Sequence, residues 1–226
     1  MSKNLLITGA TGNLGYETCK LAKEAGYQVI GTRERGDKRK VVDGVEYFDV
    51  DLTSDTGASD LVGLLMKKHD ALHGAILLVG GFAMSNITNT TADDLMDMYE
   101  LNFLTTFNTI KPVYQWMKKA GGGRIVVIGA KPAVEGGAAE VLPYALAKGS
   151  VLRLAAILNE TGKQDGIVVS AVVPSIIDTP QNREAMPKAN YDDWVKPGVI
   201  AGNMLHLISK EGDALRDPLL KLYGNA

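Results

Sequence analysis

Short apolar runs alternate with longer stretches whose apolar residues recur every three or four positions. The short runs are NLLIT (4–8), YQVIGT (27–32), VEYFDV (45–50), GAILLV (74–79), GRIVVIG (123–129) and IVVSAVV (167–173), with a shorter one at 219–223. They are apolar throughout instead of alternating with polar residues. That is the pattern of strands covered on both faces, as in a parallel sheet between two layers of helices. Helical spacing marks 14–25, which ends at Gly26, and then 61–68, 91–120 and 141–161. Pro112 predicts a kink or break inside the third of these. Pro143 suits the first turn of the fourth, and Gly162 its end. The expected fold is α/β: one doubly wound domain over residues 1–226, with a parallel sheet of six to seven strands and helices on both faces. Residues 175–198 read as a loop, carrying Met186, Tyr191 and Trp194.

Composition narrows the class without naming a chemistry. The chain has 226 residues, 46% hydrophobic and 22% charged, with a net charge of −2. Arg33–Lys40 is the longest basic stretch. Nucleic acid and anionic membranes are therefore not expected partners. The single cysteine, Cys19, has no internal partner, and no apolar stretch is long enough to span a bilayer. A cytoplasmic location is expected.

TGATGNLG (8–15) follows the first strand and opens the first helix. Glycines at 9, 12 and 15 let the backbone turn tightly and approach a pyrophosphate, and the helix N-terminus offers free N–H groups. Gly9, Thr11, Gly12, Asn13, Leu14 and Gly15 are the predicted cofactor contacts. No Gly-Lys-Ser/Thr follows, so this is not a P-loop. The second strand runs into GTRERG. Arg33 stands where an acid would bind the ribose of NAD, and its guanidinium suits a phosphate, so NADP(H) is preferred and NAD(H) is the alternative. Asp51 is a candidate for the adenine amino group or for a turn cap.

YALAK (144–148) places Tyr144 and Lys148 one helical turn apart on one face. An ammonium about 5 Å from a phenol, at an effective dielectric near 20, stabilises the phenolate by about 3 kcal/mol. That predicts a tyrosine near ~7.6, poised to give or take a proton at neutral pH.

TGATGNLG, LNFLTTF, GGGRIVVIG, YALAK and PSIIDTP, in this order and spacing, resemble the short-chain dehydrogenase/reductase (SDR) family over nearly the whole chain. The resemblance implies a single Rossmann domain, a nicotinamide cofactor and hydride transfer assisted by Tyr144, with Lys148 also binding the nicotinamide ribose. It further implies that Asn102 holds a relay water and that Thr179 contacts the cofactor carboxamide. It also implies a homodimer or homotetramer paired through the helices around 92–120 and 141–161. The chain departs from the family pattern at two places. LVGGFA replaces the usual segment after the fourth strand, where Gly80 and Gly81 are expected to line the cofactor. The serine expected near position 131 is replaced by Lys131. The serine-free loop and TPQNREAMPKANYDDW (179–194) look like the dihydropteridine reductase branch, although Arg33 and Asn102 depart from it.

Three functions are consistent with these residues. The first is an NAD(P)H-dependent reductase of a small conjugated carbonyl or imine, quinonoid pterin or quinone-like, with Tyr144 as acid/base. The second is a general carbonyl or 3-oxoacyl reductase in which Lys131 replaces the serine. The third is a non-catalytic NADP-sensing protein. Met186, Tyr191 and Trp194 form either a substrate lid or a packed surface loop. His69, His73 and His206 lack metal-ligand spacing, and no metal is expected.

Overall fold

The computed structural model describes residues 3–212, 214–215 and 219–226. Seven parallel strands form one sheet: β1 (Asn4–Thr8), β2 (Gln28–Arg33), β3 (Glu46–Asp49), β4 (Gly74–Leu77), β5 (Gly123–Ile128), β6 (Ile167–Pro174) and β7 (Leu219–Leu222). Their order is β3-β2-β1-β4-β5-β6-β7. The chain doubles back between β3 and β4, so β1 is flanked by β2 on one side and β4 on the other. Crevices above the carboxyl ends of strands at such a switch point hold ligands in open α/β sheets.

Both faces of the sheet are covered. Leu6 of β1, Leu77 of β4 and Ile125 and Val127 of β5 face one core. That core is completed by α2 (Asp55–Lys68), α4 (Thr105–Ala120) and α5 (Leu142–Thr161). Leu5, Ile7, Ile76 and Val126 point to the opposite face, against α1 (Asn13–Glu24) and α7 (Pro197–Ile208). Each strand alternates its side chains, yet both faces are apolar, which explains the continuous apolar runs.

Several local expectations change. Helix α4 continues through Pro112 without a break. The irregularity comes earlier, where α3 (Ala92–Tyr99) passes into one π-helical turn at Glu100–Leu104 before α4 begins. The α-helix does stop where expected, with Gly162 as the C-cap of α5, but Gly162 stays in the right-handed region. A 3₁₀ turn carries on over Gly162–Asp165, and Gly166 takes the positive φ of 68°. Gly162 is instead a space requirement, because a Cβ there would lie 2.7 Å from the Ile167 carbonyl oxygen. The segment read as loop holds a short helix, α6 (Pro180–Ala185), and a 3₁₀ turn at Tyr191–Asp193, and its last residues open α7. Among the described residues no helix is long and apolar enough to cross a membrane.

Candidate active site

The glycine turn is built by backbone contacts. Gly9 has φ 62°, the left-handed region that glycine enters without strain. A Cβ on Gly15 would sit 2.1 Å from the Gly9 carbonyl oxygen, so helix and strand approach too closely for any side chain. Gly12 is the N-cap of α1, no side chain caps the helix, and its first turn carries no acid. The exposed N–H groups and the positive dipole end suit an anionic pyrophosphate. Thr8 Oγ1 accepts from the Leu78 amide at 2.9 Å, tying the turn to the end of β4.

Arg33 ends β2 and donates Nε–H to Asp49 at 2.6 Å. A second guanidinium, Arg39, was not singled out in the sequence. It donates to Asp37, which also accepts from Thr11 Oγ1 at 2.5 Å. The Arg39 guanidinium holds the Asp37 carboxyl well below the usual carboxylate range, with the Thr11 hydroxyl adding to it. Arg39 Nη1 lies 3.9 Å from the point a Gly12 Cβ would occupy, which puts it over the turn. The signal for it was the basic run 33–40. Asp51 accepts from the Thr53 amide at 2.9 Å and its hydroxyl at 2.6 Å, so of the two expectations it follows the turn cap.

Beyond the glycine turn, three predicted residues meet at the carboxyl ends of β4 and β5. Lys148 is 4% exposed, and its Nζ donates to the Ile128 carbonyl at 3.1 Å. Asn102, on the π turn, is fully buried. Its Oδ1 accepts from the Gly81 amide at 3.2 Å, and its Nδ2 donates to the Met98 carbonyl at 3.0 Å. Gly80 lies between them, since a Cβ there would be 2.5 Å from Asn102 Oδ1 and 3.1 Å from Lys148 Nζ. Single π turns recur at functional sites, and this one carries Asn102 to the crevice. A buried ammonium has three donors, and the Ile128 carbonyl takes one, so ligand hydroxyls suit the others.

The expected lowering of the Tyr144 phenol is not found. Burial pushes it up to about 12, and burial pushes the Lys148 ammonium down to about 8. Lys148 Nζ lies 6.0 Å from the Tyr144 ring centroid and is directed to the Ile128 carbonyl. Desolvation outweighs the lysine's field at this separation.

The remaining predicted residues lie toward β6 and β7. Lys131 follows β5, but its Nζ donates to the Ala226 carbonyl at 2.7 Å and lies over the Tyr223 ring at 5.2 Å. Thr179 caps α6, accepting from the Asn182 amide at 3.2 Å. Gln181 of α6 accepts from Asn13 Nδ2 at 2.6 Å, joining this helix to the glycine turn. Trp194 is 5% exposed and packs on Tyr191 with ring centroids 4.8 Å apart, which favours packing over an open lid for that residue. Cys19 is buried, and its thiol is pushed up to about 12 by burial, so it stays protonated and inert. Two hollows of about 530 and 480 Å³ open at the amino ends of the strands, around Lys3, Ser209 and Lys210. Neither contains a predicted site residue.

Residues 3–190 match the family model of the short chain dehydrogenase. The acetoacetyl-CoA reductase of Rhizobium meliloti is 27% identical over 90% of this chain and 86% of its own length. The dihydropteridine reductase of Dictyostelium discoideum is 23% identical over 89% and 85%. The solved structure of ElxO with NADP bound is similar with a TM-score of 0.91, covering 99% of this chain and 98% of that one at 21% identity, a likeness in fold. The match to the family model spans most of the sequence, and the chain belongs to the short-chain dehydrogenase family and is an oxidoreductase.

Proposed function

We propose that this chain is an NADPH-dependent reductase of a small conjugated carbonyl or imine, quinonoid pterin or quinone-like, and that Tyr144 gives the proton. The observation that carries this reading is the convergence of Lys148, Asn102 and Gly80 beside Tyr144 at the switch-point crevice. A phenol pushed up to about 12 keeps its proton throughout the neutral range, which suits a donor in the reductive direction. A bound nicotinamide supplies the hydride. Lys148 holds the cofactor ribose with its remaining donors, and its charge favours loss of the phenolic proton once transfer begins. Asn102 fixes the Gly80–Gly81 backbone that lines the nicotinamide. Thr179, at the start of α6, contacts the carboxamide. Gly9, Gly12, Gly15 and the residues between them hold the pyrophosphate.

Preference for NADP(H) rests on Arg33 and Arg39, both beside the nucleotide end and each held by a carboxylate. The tested variant is Tyr144→Phe. Turnover should fall by roughly 10²–10⁴-fold, with NADPH affinity, measured by fluorescence titration, within about twofold of wild type. Wild-type turnover in that variant sinks the mechanism.

A second reading, a 3-oxoacyl or general carbonyl reductase, is favoured by the acetoacetyl-CoA reductase relative and by a 3-oxoacyl-[acyl-carrier-protein] reductase of Pseudomonas aeruginosa, 29% identical over 84% of this chain. Comparing kcat/KM for a quinonoid dihydropterin, a quinone and acetoacetyl-CoA separates the two. Assembly as a homodimer or homotetramer through α3, α4 and α5 is supported by the exposed Met96, Phe107, Leu146 and Ile157 on those helices. Light scattering that gives a monomer mass rejects it.

A further inference from the structure

Phe82 is the least expected residue beside the phenol. Its side chain is 61% exposed, although it belongs to a segment fixed at both ends. At one end the Gly81 amide donates to Asn102, and a Cβ on Gly81 would lie 2.4 Å from Leu101 Cδ2. At the other end Ser85 pairs with Val141 as a short parallel bridge, and its carbonyl accepts from the Leu142 amide at 2.9 Å. This strap leads from the end of β4 to the start of α5, nearly two turns before Lys148. Phe82 meets the Tyr144 ring edge-on, at 5.1 Å between centroids and 76° between planes. Met84, two residues on, is 70% exposed. An aromatic ring and a thioether held open to solvent beside a half-buried phenol form apolar surface that nothing among the described residues covers. The strap is fixed by backbone groups of Gly81 and Ser85 and by the polar side chains of Ser85 and Asn86, which leaves the apolar side chains of Phe82 and Met84 exposed to meet a ligand.

We infer that Phe82, with Met84 beside it, is the platform that seats a planar conjugated ring against Tyr144 and thereby sets substrate choice. The inference rests on the proposed reductase reading and adds the residue that selects a flat substrate over a flexible one. Edge-to-face and offset-stacked geometries both suit an aromatic ring meeting a flat electron-poor one. A flexible acyl thioester gains little from the same surface.

The test uses the full chain loaded with NADP⁺, and 2-methyl-1,4-naphthoquinone as the planar probe. Calorimetric titration should show binding to wild type, weaker by about 3- to 10-fold in Phe82→Ala and retained in Phe82→Trp, the range an aromatic pair supplies. In steady state the KM for the quinone should rise by a similar factor while kcat changes less than about twofold. The KM for acetoacetyl-CoA, where it is turned over, should not move. Unchanged melting temperatures are expected, because Phe82 is exposed, and Phe82→Leu serves as a second variant should alanine loosen the strap. Equal losses for both substrates, unaltered quinone binding in Phe82→Ala, or no quinone binding to wild type overturns the inference. Phe82-dependent quinone binding without turnover leaves the inference standing and rejects the reductase reading alone.

Discussion

The two ends of the crevice are constructed differently. The nucleotide end is made by residues close in sequence: β1, the turn at 8–15, α1 and the end of β2. Its geometry is enforced by backbone, as where Gly15 leaves no room for a Cβ against Gly9. The substrate end is assembled from segments far apart in the chain. Lys131, the loop after β6 and residues 222–226 are joined by individual hydrogen bonds, while the strap at 80–87 is held to Asn102 and to the start of α5. Lys131 reaches Ala226, the Ser175 hydroxyl donates to the Tyr223 carbonyl at 2.5 Å, and the Asn225 amide donates to Asp193 at 3.1 Å. A scaffold of this kind keeps one ligand fixed while the other end is free to vary.

If the nucleotide end is backbone-limited, Gly15→Ala is the most damaging single change. The added methyl meets main-chain atoms of Gly9 and Ala10, which have no alternative position. Overpacking of this type costs about 1–3 kcal/mol, and here it displaces the helix from the pyrophosphate site. NADPH binding should fall below detection in a titration that measures wild type easily. Near-normal affinity would show the turn to be adaptable and would erase the contrast between the two ends.

Lys148 lies where the ends meet, and its substitution separates activity from stability. Lys148→Met should lower kcat by about 10²–10³-fold, since the variant loses both a cofactor contact and the charge beside the phenol. The stability change has the opposite sign. Burial lowers the ammonium from 10.5 to about 8, so between these values the unfolded chain holds a proton that the folded chain does not. Wild-type stability from this group therefore rises with pH across that window, and below about 8 the burial penalty of ~3 kcal/mol is present in full. Offset by about 1 kcal/mol for the Ile128 carbonyl left unpaired, the variant should melt higher than wild type at pH 7. That gain should shrink as pH climbs from 8 toward 10.5, and a gain independent of pH would contradict it. In wild type, kcat for reduction should decline above about 8 as Lys148 loses its charge.

Cofactor choice comes next in size. If the proposed preference for NADP(H) holds, removing Arg33 and Arg39 together should weaken NADPH by about 10- to 100-fold while changing NADH by less than about threefold, since the proposed charge-assisted contacts to a 2′-phosphate would be lost. The single Arg39 variant distinguishes a phosphate contact from a brace on Asp37. A brace alone would weaken both cofactors equally.

The difference between the two ends also decides what the sequence discloses. The central strands are legible because each is buried on both faces, the half-exposed edge strands β3 and β7 through shorter apolar runs, and the glycine turn because its constraint falls within eight residues. YALAK is legible for the same reason, one helical turn being local. Helix α7 is not, since Pro197, Gly198 and Gly202 mask it, and its packing of Ile200, Met204 and Ile208 against the sheet and α1 overrides local propensity. The role of Phe82 depends on a ring 62 positions away, and that of Lys131 on a carbonyl 95 positions away. No spacing rule reports either pair. The raised phenol is hidden as well, because a pairwise charge argument omits the burial that dominates it.

Lys131 gives the smallest expected effect and the sharpest test of the substrate end. Its amine is already engaged by the Ala226 carbonyl and the Tyr223 ring, while Lys221 pairs with Glu135 nearby. A group so engaged acts as a clasp on residues 223–226 more than as a charge offered to a substrate oxygen. Lys131→Met should therefore leave kcat within about threefold, lower stability by about 1 kcal/mol, and increase amide hydrogen exchange selectively at 222–226. A transition-state role predicts the reverse: kcat down by about 100-fold with exchange at 222–226 unchanged. Lys131→Ser sharpens the comparison further. It frees the clasp and installs a hydroxyl where the family pattern has one. If the substrate end is specialised for activated rings, the serine variant should gain turnover on an unactivated ketone by several-fold without loss of quinone reduction. No gain would mean that the distance from position 131 to Tyr144, and not the missing hydroxyl, limits ketone chemistry at this site.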